Sequence, residues 1–128
     1  MIRNFLSDLT TVTLTKSLDV AGLRHRVIAN NIANVETPGF IRSDVSFEGK
    51  LRQALESANE ESAQRYVQDI RPEVQEDVTS PIGPNGSNVS IDKEMADLTE
   101  NTLQYEALTR LLNMKLAMLT MVITEGKR

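Results

Sequence analysis

With one histidine and no cysteine, this chain has few groups that could do chemistry. Catalysis by His25 would need a nucleophile or an acid beside it, and the surrounding sequence supplies neither. A metal site needs several His, Cys or carboxylate ligands converging, and His25 has none at ligand spacing. It therefore reads as a packing residue on a helical face. Asp92 with Glu94, and Glu60 with Glu61, are close enough in sequence for paired-carboxylate chemistry. A helix N-terminus, which favours negative charge, and a solvated turn explain them more simply. Gly83 and Gly86 lie in a Pro/Asn loop without the Lys-Ser/Thr that a phosphate loop requires. Asn88-Val89-Ser90 matches the glycosylation triplet, which arises readily by chance. The chain is expected to be no enzyme and to need no cofactor or metal.

The elements that position these residues are more informative. Ile91, Met95, Leu98, Thr102, Tyr105, Thr109, Leu112, Leu116, Leu119 and Ile123 keep alternating steps of four and three. That spacing averages about 3.5 residues, the repeat of a coiled-coil seam. A helix of this length spans roughly 50 Å at ~1.5 Å per residue, and it asks for a partner of similar length. Its start is expected near Ser90 or Asp92. A second long helix, about Asn4 to Val35, shows the same beat at Leu14, Leu18, Ala21, His25, Ile28, Ile32 and Val35. Val20, Leu23 and Val27 widen its apolar face. Gly22 and the threonines near its start are mediocre helix formers, so packing must stabilise it. Pro38 pushes Thr37 out of the helical region, and Thr37-Pro38-Gly39-Phe40 suits a type II turn.

Residues 41–89 differ. Ser46 is expected to cap a short helix running through about Ser57. Asn59-Glu60-Glu61-Ser62 looks solvated. Tyr66 to Val78 reads as strand, with Val67 and Ile70 before Pro72 and Val74 and Val78 after it, in a small hairpin that Pro72 confines to an edge. Residues 79–88 are a loop by composition, expected to be mobile in an isolated subunit. The predicted fold is mainly α. Residues 1–40 and 90–128 carry the two long terminal helices, and 41–89 form an irregular middle.

Composition narrows the function. The net charge of −4 disfavours a general nucleic-acid binder, which needs a basic face. No secretory h-region stands near the start. The most apolar window, Leu111 to Ile123, is too short for a bilayer span and contains Asn113 and Lys115. Leu108, Leu111, Met114, Met118, Met121 and Val122 form a stripe beside the main seam. A helix apolar around that much of its circumference is buried on several sides. One intramolecular partner cannot cover it, so neighbouring molecules are expected to.

The densest oddity is Ala29-Asn30-Asn31-Ile32-Ala33-Asn34-Val35-Glu36-Thr37-Pro38-Gly39-Phe40. Ala29 and Ala33 leave room for a close helix approach. Three Asn in five residues disfavour a helix unless their amides find fixed partners. They read either as a frayed, capped end or as a polar patch fixing register between packed helices; the second reading is assigned to Asn30 and Asn34.

This stretch resembles the signature of the bacterial flagellar rod and hook axial proteins, an Ala-Asn-Asn-Ile-Ala-Asn run followed by Thr-Pro-Gly and an aromatic. The short length and the ending Leu111 to Lys127 are most similar to the proximal-rod members. Glu36 stands where the family often has Asn or Asp. The resemblance implies that residues 1–40 and 90–128 pack as an antiparallel coiled coil, one discontinuous domain, in a structural subunit of the basal-body rod that stacks helically around a central export channel and transmits torque. It implies export by the flagellar type III apparatus without a cleaved signal, a place in the periplasmic rod, and as neighbours further copies of the chain, the rod protein FlgC and the adapter FliE. The rival class is a soluble helical adaptor or export chaperone that binds a partner helix through the C-terminal stripe.

Overall fold

The structure, a computed structural model, describes residues 8–57 and 59–127. The chain runs through helix α1 (Leu9–Ala33), strand β1 (Ser43–Ser46), helices α2 (Glu48–Leu55) and α3 (Glu60–Asp69), strand β2 (Glu73–Glu76) and helix α4 (Ile91–Glu125). The predicted start of the first helix near Asn4, and Arg128 at the end of the last, lie outside the described residues.

α1 is capped by Asp8, whose carboxylate accepts from the Thr11 amide at 2.9 Å, satisfying one of the orphan donors of a first turn. α4 is capped by Ser90 and has Asp92 and Glu94 in its first turn. The two helices run antiparallel. Asn31 meets Glu94, the Ala21 carbonyl meets Asn101, and Asp8 meets Lys115, so one chain direction falls as the other rises.

Most of the apolar core lies on the other side of α1. Val20 packs with Val45, Phe47, Ala54, Val67 and Ile70, and Leu9, Val12, Leu23, Val27 and Leu51 close around them. The stripe that widens the apolar face of α1 thus contacts the middle segment rather than α4. Val67, fully buried, contributes roughly 1.5–3 kcal/mol by leaving water.

The middle is more regular than its composition suggests. Residues 60–69 form a helix, not the first arm of a hairpin. Asn59 caps it by accepting from the Ser62 amide at 2.8 Å, and Ala63 and Val67 share its buried face. β2 starts directly after Pro72 and pairs antiparallel with β1, Val45 opposite Val74, so its partner comes from upstream of both short helices. Ser46 ends β1 and does not cap α2. Phe47 occupies that cap position; its ring has no group to accept a hydrogen bond and is taken into the core.

The turn after α1 has the geometry its sequence demands. Gly39 has φ +74°, and the Phe40 amide donates to the Thr37 carbonyl at 3.2 Å. The loop of residues 79–88 is tied to this turn. Gly39 N donates to the Asn85 carbonyl at 3.0 Å, and Asn88 N donates to the Phe40 carbonyl at 3.3 Å. Gly86, at φ +82°, sits so close that a Cβ there would lie 3.3 Å from Gly39 Cα.

Candidate assembly interface

Arg42 joins the parts. It follows the turn and opens β1, and only 1% of its surface is exposed. Its Nε donates to Glu94 Oε1 at 2.6 Å and its Nη1 to Asp77 Oδ2 at 2.7 Å. Asp44 and Asp97 lie at 3.5 and 3.7 Å. Burial works against the guanidinium charge, but the bonds to Glu94 and Asp77 outweigh it and raise its pKa further. Asp77 is held well below the usual carboxylate range. The Ser80 and Thr79 hydroxyls and the Thr79 amide contribute most, and Arg42 adds to them. The Arg42 amide donates to Asn88 Oδ1 at 2.7 Å, and Asn88 Nδ2 donates to the Asp77 carbonyl at 2.6 Å. The Arg42 guanidinium therefore connects β1, the segment just after β2 and the first turns of α4, and its backbone amide adds the loop.

Asn31 completes this lock from α1. It is fully buried. Its Oδ1 accepts from the Ser43 amide at 3.0 Å, while its Nδ2 donates to the Ser43 carbonyl at 2.9 Å and to Glu94 Oε2 at 3.2 Å. The amide thus imitates a strand neighbour for β1 and holds the carboxylate that Arg42 binds. Asn30 and Asn34 act locally instead. Asn34 Nδ2 donates to the Asn30 carbonyl at 2.8 Å and Thr37 Oγ1 donates to Asn34 Oδ1 at 3.2 Å, which closes the last turn of α1. Within the subunit, the long-range register contact is made by Asn31. Ala29, Asn30 and Ala33 are exposed, Ile32 is half-buried, and Thr37, Pro38 and Gly39 are exposed beside a half-buried Phe40.

The packed line on α4 is rotated from the one the apolar beat predicts. Leu98, Leu112 and Leu119 turn inward, as expected of the seam. The alternate positions are Glu94, Asn101, Leu108 and Lys115, one residue before Met95, Thr102, Thr109 and Leu116. Three of these four are polar, and each has a distant partner: Glu94 has Arg42, Asn101 Nδ2 donates to the Ala21 carbonyl at 2.8 Å, and Lys115 pairs with Asp8. Burial raises the Asp8 pKa, and the bonds from Lys115 and Thr11 overcome this and lower it. Met95, Tyr105, Leu116 and Ile123 are consequently exposed. On α1, Leu14, Ala21 and Ile28 are buried, Leu18 is half-buried and His25 is exposed.

The rotation leaves hydrocarbon facing outward. Leu111 is 50% exposed, Met114 61%, Met118 54%, Met121 60% and Val122 62%, whereas Leu108 is half-buried. Thr102, Thr109, Thr120 and Thr124 donate their hydroxyls to carbonyls four residues back, so they present methyl groups. The reading that no segment is fit to span a bilayer needs correction. α4 is long and apolar enough to do so by length and composition, because the helix runs on either side of the window from Leu111 to Ile123. Among the described residues, no group of three or more His, Cys, Asp and Glu is placed to hold a metal.

An antiparallel pair of long helices, locked at one end by a buried ion pair and bare hydrocarbon at the other, defines a helical structural subunit. A profile described as "Flagella basal body rod protein" matches residues 24–40, from the last turns of α1 to Phe40. The chain is 35% identical over 125 residues to "Flagellar basal body rod protein FlgB" of Bacillus subtilis (strain 168), covering 92% of this chain and 95% of that protein. It is 37% identical over 106 residues to the FlgB of Borreliella burgdorferi (72% and 78% covered) and 25% identical over 125 residues to that of Proteus mirabilis (87% and 90% covered). The chain belongs to the FlgB family of flagellar basal body rod proteins, and its role is that of a structural rod subunit.

Proposed function

We propose that this subunit builds the proximal part of the rod by polymerising through its two terminal helices, around the export channel and in the path of torque from motor to hook. The observation that carries this is the exposed apolar end of α4, from Leu111 to Val122. At roughly 25 cal/mol per Å² of apolar surface, such a face is driven to find cover. Two covers are physically available, lipid and protein. Protein is favoured because Lys16, Asp19, Arg24 and Arg26 lie on α1, the helix packed along α4, and bringing them into a bilayer would require desolvating their charges. The neighbours would be further copies of the chain, FlgC and the adapter FliE. The chain would reach them through the flagellar type III export apparatus, in the periplasmic section of the basal body, without a cleaved signal peptide. The adaptor reading loses its ground because the similar proteins are rod proteins.

The test is fractionation. The chain should co-purify with basal bodies after detergent extraction of the membranes. Recovery in the cytosolic fraction alone would reject the rod reading, and release with the lipid would reject protein cover.

A further inference from the structure

Three exposed apolar side chains lie toward the opposite end of the molecule. Val74 is 52% exposed, Val78 83% and Ile82 65%. They lie on β2 and the segment after it, beside Asp77, which Arg42 ties to the first turns of α4. Met118 lies about 24 residues further along α4 than Glu94, roughly 36 Å away at ~1.5 Å per residue. The two surfaces of one subunit are therefore too far apart to cover each other.

Their charges are opposite. Residues 108–128 carry Arg110, Lys127 and Arg128 against Glu125, besides Lys115, which pairs with Asp8, whereas residues 41–89 carry nine acidic and five basic residues. Glu76 lies near Val74 on β2 and is exposed, as is Glu73, which pairs with Lys50, and Arg110 and Lys127 are exposed at the other end. A contact of one α4 end with the same end of another copy would set like charges together, which is destabilising. A contact of an α4 end with the middle segment of another copy joins apolar to apolar and basic to acidic.

We propose that the C-terminal third of α4 docks on the Val74–Ile82 segment of a second copy. The occupant of the methionine stripe is thus the acidic middle segment of the next subunit. Two different surfaces meeting head to tail make a heterologous contact, which propagates as an open filament unless its rotation closes a ring. The inference rests on the rod reading and adds to it which two faces meet.

The native chain has no cysteine, so introduced thiols report one contact at a time. Cells carrying a mixture of Val78→Cys and Met118→Cys chains should give, in isolated basal bodies, a disulfide-linked pair of the two different variants in several-fold excess over either like pair. A chain carrying both substitutions should give a ladder of linked oligomers. Met118→Cys pairs in excess, a closed dimer from the double variant, or no cross-link in basal bodies that contain the chain would each overturn the proposal while leaving the rod reading intact. Absence of the unsubstituted chain from basal bodies would overturn the rod reading itself. A charge exchange gives a second measurement. Glu76→Lys and Arg110→Glu should each lower incorporation roughly fivefold, and the two together should restore it. Failure of the pair to recover, with thermal unfolding of the free chain unchanged, would also sink the proposal.

Discussion

At its N-terminal end α4 buries a carboxylate against Arg42 and an amide of α1, while its C-terminal end holds Leu111, Met114, Met118, Met121 and Val122 half or more exposed. The usual placement of residue types is inverted along one helix. Burying Glu94 is tolerable because both of its oxygens are bonded and its partner is a guanidinium that keeps its charge. Exposing the methionines is tolerable only if another surface arrives. The comparison separates what the subunit completes alone from what it leaves to its neighbours. The packing at the Arg42 end sets how the helices and the middle segment meet, and the far end keeps its hydrocarbon exposed.

The largest effect should come from breaking the buried pair. Glu94→Ala leaves Arg42 buried without its shortest partner, and such removals cost about 3–5 kcal/mol. The urea midpoint of the purified chain should fall accordingly. Replacing both partners, Arg42→Met with Glu94→Leu, should recover much of that loss, because a buried pair exchanged for hydrocarbon is often near neutral. A double variant as unstable as the single one would show that the network holds the fold through more than this pair.

Asn31→Ala comes next. It strips the Ser43 amide and carbonyl of their partners and Glu94 of one donor, a loss of about 1–3 kcal/mol. Asn30→Ala, which removes only the exposed 3.3 Å contact of its side chain with Asn34, should stay within about 0.5 kcal/mol. Equal losses would move the register contact back to the exposed asparagines. Gly39→Val forces a β-branched residue to φ +74° and should cost about 1–2 kcal/mol, read in the same titration.

Acid probes the lock without mutation. The folded-state pKa of Asp77 lies below its unfolded value. The stability it contributes is therefore fully present above the ordinary aspartate pKa of about 3.9 and is lost as pH falls through the folded value. Asp8 acts in the same direction at the other end of α1. Thermal midpoints of the parent chain should fall below about pH 4, and Asp77→Asn should flatten that part of the curve. An unchanged acid limb would remove Asp77 from the account.

The two long helices and the turn at Gly39 were legible in the sequence because each rests on a local pattern, a repeating apolar step or a Pro-Gly pair; the antiparallel pairing followed from the family resemblance. The phase of the seam was not. Counting apolar residues as inward placed Met95 and Leu116 in the contact, whereas Glu94, Asn101 and Lys115 lie there. Their partners stand 52, 80 and 107 residues away, and no local signal announces such pairs. Arg42, the hub of the candidate site, went unnoticed for the same reason. α3 was missed despite a readable signal. Asn59 followed by two glutamates is a capped, acidic first turn, but Val67, Ile70, Val74 and Val78 taken together resemble a strand. Val67 and Ile70 are buried and Val74 and Val78 exposed, so the apparent run crosses from one element to another.

The smallest effect on the free subunit is the most informative for the far end of α4. Met114→Ser with Met121→Ser changes side chains about 60% exposed. Surface substitutions of this kind stay within about 0.5 kcal/mol each, so the unfolding midpoint should hardly move. Incorporation into basal bodies and swimming should both fail, because the hydrocarbon that another surface would cover is gone. A matched change in the core, Phe47→Ala, should do the reverse in the free chain and cost about 3–5 kcal/mol. If the serine variant swims normally, α4 leaves those methionines uncovered in the rod as well. The contrast between its two ends would then concern only the packing of a single subunit.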